Sequence, residues 1–127
     1  MKIGMTTDDA SWLAIRQPAV IRMLEAELTT PDGDCFAAGL ELACRVLGGK
    51  TRLGDLRLEH RALSAALADV RSGRCDRAMV RSLRDQIEEL PVALTQREHD
   101  AIATVIAAII YAVLDESVRD LGDTLVA

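Results

Sequence analysis

The longest apolar stretch of the chain, Ala101 to Leu114 (AIATVIAAIIYAVL), lies in its last third. Ile102, Val105, Ile106, Ile109, Ile110 and Val113 recur at helical spacing and form a bulky face. Ala103, Thr104, Ala107, Ala108 and Tyr111 cover much of the remaining circumference, and a helix apolar nearly all round belongs at the centre of a fold. Its start is framed by Thr95 and Glu98, a capping box in which each side chain accepts from the other's backbone N–H. Gly122 is the expected C′ residue, able to take positive φ. The pattern therefore predicts a central helix over about 95–121, with 123–127 a short tail.

Amphipathic segments precede it. Residues 1–6 read as irregular, and Thr6 or Thr7 can cap a first helix whose apolar side is Trp12, Leu13 and Ile15. Pro18 either kinks that helix or opens a second as its first residue. Val20, Met23, Leu24 and Leu28 then form a stripe, with Glu27 lying angularly inside it. Thr30 or Asp34 can cap the next helix, which carries Phe36, Leu40, Ala43 and Leu47 on one face and ends at Gly48-Gly49. Gly39 lies beside that face and permits close approach of a neighbour, while Glu41 and Arg45 form an i,i+4 pair expected on the opposite face. Asp55 is the expected cap of a helix running to about Arg71, with Leu56, Leu63, Leu67 and Val70 inward. Asp76 can cap a further helix that buries Met79, Val80, Leu83, Ile87 and Leu90, with Pro91 stopping it.

This succession predicts an all-α fold: a single-domain bundle of roughly five to six helices around the C-terminal one. The length of 127 residues suits one core. Half of the residues are apolar and only Trp12, Phe36 and Tyr111 are aromatic, so the core is aliphatic and suited to close helix packing. Strand signals are absent: no alternating β-branched run occurs, and helical patterns flank Asp32-Gly33.

Charge divides the chain into three. Residues 1–49 hold four basic and seven acidic groups, residues 50–84 nine and four, and residues 85–127 two and nine, for a net −5. Such a layout steers charged partners or is neutralised when the segments pack. The three cysteines, Cys35, Cys44 and Cys75, match no metal spacing, and the first two project from opposite sides of one helix. A reducing, cytoplasmic setting is the expectation. The N-terminus lacks the apolar region of a signal peptide, and the apolar run at 101–114 is too short to span a bilayer.

Catalytic signatures are missing. His60 and Ser64 stand i,i+4 on one helix, but a triad also needs an orienting acid. His99, between Glu98 and Asp100, reads as a local ion pair. Neither histidine has a metal-ligand partner at ExxH or CxxC spacing, the acidic residues around Gly33 lack the rest of a calcium loop, and no glycine-rich phosphate loop occurs. The expectation is a non-enzymatic protein with no metal or cofactor.

Two charged surfaces remain. Glu88, Glu89, Glu98, Asp100, Asp115, Glu116 and Asp120 concentrate acid in the last third, joined by Asp85 and Asp123. Such a surface suits a basic protein partner: an acidic bacterial immunity or antitoxin protein blocks a nuclease toxin by occupying its phosphate site with carboxylates. Glu27 is an outlying candidate. The alternative is a nucleic-acid-binding regulator using Arg74, Arg77, Arg81 and Arg84, in an arrangement superficially like a helix-turn-helix with Arg57 and Arg61 on the preceding helix. Against it, Arg81–Asp85 and Arg84–Glu88 are spaced as local pairs. A homodimer burying part of the central helix is compatible with the pattern.

Overall fold

The computed structural model describes residues 13–28, 34–47 and 57–126, with side chains as far as Asp115. The described residues are predominantly helical, without a strand among them. Helical residues 13–16 lead into α1 (Pro18–Glu27), followed by α2 (Asp34–Leu47), α3 (His60–Arg71), α4 (Arg77–Glu88) and α5 (Gln96–Val126). The all-α single bundle is thus observed, and α5 packs against each of the other four helices.

Burial shows why α5 takes the centre. Ile102, Ile106, Ala107, Ala108 and Ile109 are fully buried, and Ala103, Val105, Ala112 and Val113 nearly so. The isoleucines fill the space between helices, while the alanines let backbones approach on the other side. Each large aliphatic side chain removed from water contributes about 1.5–3 kcal/mol. The capping box forms as expected: the Glu98 N–H donates to Thr95 Oγ1 at 3.2 Å and the Thr95 N–H to Glu98 Oε1 at 2.9 Å. The helix does not stop at Gly122 but continues to Val126, so the expected tail at 123–126 is helical. An interior glycine costs a helix about 1 kcal/mol, but propagation is far easier than nucleation and a helix already formed carries through it.

Pro18 opens a helix rather than kinking one. It occupies the first turn of α1, and the chain breaks at Gln17, with φ −130° and ψ 62°. Leu13 is fully buried but Ile15 is 76% exposed, so the apolar side expected there is narrower; Trp12 lies outside the described residues. Gln17 is completely buried, and its Oε1 accepts from the Leu58 N–H at 2.9 Å. That bond holds residues 57–59 in a non-helical approach to α3, which begins at His60 rather than near Asp55. Asp55 and Leu56 lie outside the described residues.

In α2, Asp34 is the first helical residue rather than the cap; Thr30 and Pro31 lie outside the described residues. Gly39 is where α1 and α2 touch. A Cβ there would lie 2.2 Å from Leu28 Cδ1 and 3.4 Å from Leu24 Cδ2, so any larger residue must displace the buried Leu28 side chain. Glu41 corrects the expectation of an outward pair. It bonds Arg45 at 3.0 Å, yet it is only 5% exposed and its Oε2 has no hydrogen-bond partner among the described residues. The buried arc of α2 is wide, including Ala38 and Leu42, and it sweeps Glu41 inward with them.

Candidate functional site

Helix α4 is built on a narrow apolar edge. Leu83 and Ile87 are buried against α5, Met79 and Val80 are only half-buried, and Leu90 is buried just beyond the helix. Asp76 caps it, with Oδ1 accepting from the Ala78 N–H at 2.8 Å. The Asp76 N–H donates to the Tyr111 hydroxyl at 2.6 Å, which fixes the turn before α4 to the middle of α5. Gly73, at φ +82°, supplies the left-handed residue that reverses the chain between α3 and α4. Both helices pack chiefly on α5 rather than on each other, unlike the two helices of a helix-turn-helix.

The outward face of α4 carries both kinds of charge, segregated along its length. Arg77 and Arg81 occupy the N-terminal half, and Asp85, Glu88 and Glu89 the C-terminal end; all five are exposed. None of them forms an ion pair with another described residue. The expected Arg81–Asp85 and Arg84–Glu88 pairs do not form. Arg84 reaches across to Asp100 on α5 at 2.8 Å instead. That contact ties two elements together, which a local pair would not do.

The charges on α4 also run against the helix dipole, which favours acids at the N-terminus and bases at the C-terminus. Among the described helices, only α2 follows the rule at both ends, with Asp34 in its first turn and Arg45 in its last; α3 ends on Arg71 and α5 begins with Glu98, while α1 ends on Glu27 with no base in its last turn. In α4 the first turn has no acid and the last turn no base. The Asp76 cap is the one favourable charge at its N-terminus.

The remaining predicted acids are placed differently. Glu98 is committed to the capping box, and Asp100 bonds both Arg84 and Gln96, so neither is a free carboxylate. Asp115 is exposed near the end of the described side chains and already has an interaction of its own. The side chains of Glu116, Asp120 and Asp123 lie outside the described ones. Glu27 pairs with Arg71 across α1 and α3, at the edge of a 190 Å³ recess that Asp100 and Thr104 also line.

Among the arginines, Arg74 is 78% exposed and held loosely by Asp69 at 3.6 Å. It borders an open cleft of about 490 Å³ between α3 and α5, floored by Ala62, Ala65, Ala66 and Ala112. Arg61 also lines this cleft, as do Glu59, Asp69 and Asp115, so its rim has mixed charge. Sequence reasoning missed this cleft, although the alanine spacing on α3 was visible.

His60 and Ser64 come together at 3.4 Å, both exposed, a distance too long for a strong hydrogen bond. His99 forms no ion pair with a described residue. Cys35, Cys44 and Cys75 form no disulfide with one another. Among the described residues no group of His, Cys, Asp and Glu is arranged to hold a metal ion, and no helix is long and apolar enough to cross a membrane.

Comparison with known proteins adds no relative: no family model, curated protein or solved structure matches the chain.

Proposed function

We propose that this is a non-catalytic binding protein that engages a basic protein partner through the acidic end of α4, with Asp85, Glu88 and Glu89 as the contact carboxylates. The observation that carries this reading is the inverted charge of α4. Carboxylates in its last turn weaken the helix that bears them and have no partner among the described residues. Residues that cost local stability without internal compensation are expected where function selects them. Their chemistry suits a protein whose own ligand is polyanionic. Three carboxylates on one exposed helix end present charge as a run of phosphates does, and they accelerate encounter with a basic cleft. The most specific form of the proposal is a bacterial immunity or antitoxin protein that covers the active site of a nuclease toxin. It would act in the reducing cytoplasm, in keeping with three cysteines that form no disulfide with one another.

The test is association with a co-purifying basic protein, followed by stopped-flow. Glu88→Lys/Glu89→Lys is expected to slow association at least about tenfold at low salt, with the difference shrinking as salt is added. Unchanged association rates would refute the use of this surface.

A second reading rests on Arg77 and Arg81, which are exposed and without an ion pair among the described residues. They stand on the N-terminal half of α4, with Arg74 in the turn before it, as a short anion-binding strip. If they bind nucleic acid, affinity falls steeply with salt and Arg77→Ala/Arg81→Ala weakens it on all sequences alike. Absence of binding to DNA and RNA at low salt would remove this reading.

A further inference from the structure

We infer that Asp100 is a positioning residue for the acidic end of α4: it holds the Arg84 guanidinium against α5 and so keeps Glu88 free for a basic partner. The role presupposes that this end is the proposed partner surface. Arg84 and Glu88 stand four residues apart on α4, about 6 Å along the axis, the spacing at which two side chains on one helix meet. No other arginine of α4 lies within one turn of Glu88; Arg81 is about 10 Å away along the axis. Left to its own helix, Arg84 would cover Glu88. Its Nη2 instead donates to Asp100 Oδ1 at 2.8 Å.

Three features favour the contact across the helices. Asp100 Oδ1 also accepts from Gln96 Nε2 at 3.1 Å, so the carboxylate is already oriented and loses less freedom on taking Arg84. The local alternative has its arginine N-terminal to its acid, the weaker of the two orders at this spacing. Asp100 is also partly buried, whereas Glu88 is exposed, where water screens an ion pair most.

Other nearby acids offer Arg84 no second place. Glu27 lines the same recess as Asp100 but is held by Arg71. Glu98 is committed to the capping box. Asp85 follows Arg84 directly and projects about 100° away around the helix. Without the Asp100 carboxylate, the guanidinium therefore returns to Glu88. A cation then sits among the carboxylates that have to meet a basic partner, where like charges oppose association. A pair as exposed as Arg84–Asp100 adds little to stability. Its consequence is which carboxylate stays bare.

Octalysine, standing in for a basic surface, tests this by NMR titration of the whole chain at about 20 mM salt, with the dissociation constant read from the backbone amides of residues 88 and 89. The wild type is expected to bind there, and Asp100→Ala to bind about threefold more weakly. Losing one negative charge also weakens binding, so the decisive readout is a double-mutant cycle. Glu88→Gln is expected to weaken binding about threefold in the wild type but less than about 1.5-fold in Asp100→Ala, where Arg84 already covers Glu88. Adding Arg84→Gln to every member is expected to restore additivity, because the guanidinium that couples the two sites is gone. A merely structural bridge would change stability and leave the cycle additive. Circular dichroism confirms that each variant remains folded. If Glu88→Gln weakens binding equally with and without the Asp100 carboxylate, or if the coupling persists without Arg84, the positioning role is wrong while the acidic end stands as a partner surface. If octalysine leaves these two amides of the wild type unmoved, the reading of the acidic end falls and the role of Asp100 with it.

Discussion

Reversing the terminal charges of α4 should stabilise the protein, although most substitutions in a natural chain do the opposite. The perturbation is Arg77→Glu with Glu88→Arg and Glu89→Arg, which leaves the Asp76 cap, Leu83, Ile87 and the Arg84–Asp100 bridge in place. Arg77 is the first residue of the helix, Glu88 the last and Glu89 its C-cap, so all three feel the dipole. Each unfavourable terminal charge costs about 0.3–1 kcal/mol, and reversal both removes that cost and adds a comparable attraction. Because the three side chains are exposed, the low end of the range applies, and the expected gain is about 1–2 kcal/mol. Urea unfolding measures it. With a slope of about 1–3 kcal/mol per molar, the midpoint should rise by roughly 0.5–1 M. The gain should shrink at high salt, since arginine and glutamate have similar helix propensities and only the charge term is screened. A midpoint at or below that of the wild type would refute the claim that α4 bears its charges at a cost.

Two further substitutions probe the frame that presents α4. Gln17→Leu keeps the volume but removes the acceptor for the buried Leu58 N–H, and a loss of about 1–3 kcal/mol is expected in urea unfolding. A change below about 0.5 kcal/mol would mean that this bond does not anchor the approach to α3. Gly39→Ala gains about 1 kcal/mol of helix propensity but meets Leu28 Cδ1, and overpacking of about 1–3 kcal/mol leaves a net loss. A double-mutant cycle with Leu28→Ala should show coupling between the two sites, and simple additivity would contradict the close α1–α2 contact.

What the sequence disclosed follows from the range of each interaction. The capping box of Thr95 and Glu98, the Asp76 cap and the opening role of Pro18 are local, written within one turn of chain. The central position of α5 was legible because apolar residues around the whole circumference leave a helix no other place to go. Contacts between elements were not legible. Arg84 bonding Asp100 and Gln17 holding Leu58 join residues far apart in sequence, so no local spacing announced them. Glu41 looked like a surface pair because its angle was judged against a narrow apolar face, whereas α2 is buried over a wide arc. The same limit shaped the functional site. Among the acids with described side chains, Glu98 and Asp100 are engaged within the fold, and Asp85, Glu88 and Glu89 stand exposed on α4. The charge inversion of α4 was present in the sequence all along, but its meaning depends on which neighbours neutralise it.

The central claim is that the acidic end of α4 meets a basic protein partner. The most direct measurement is the association rate of that partner with three forms of the chain at low salt: wild type, Asp85→Lys/Glu88→Lys/Glu89→Lys, and Arg77→Glu/Arg81→Glu. The account predicts at least about tenfold slower association for the first variant and equal or faster association for the second. Equal rates for all three, or slowing only by the arginine reversal, would contradict it.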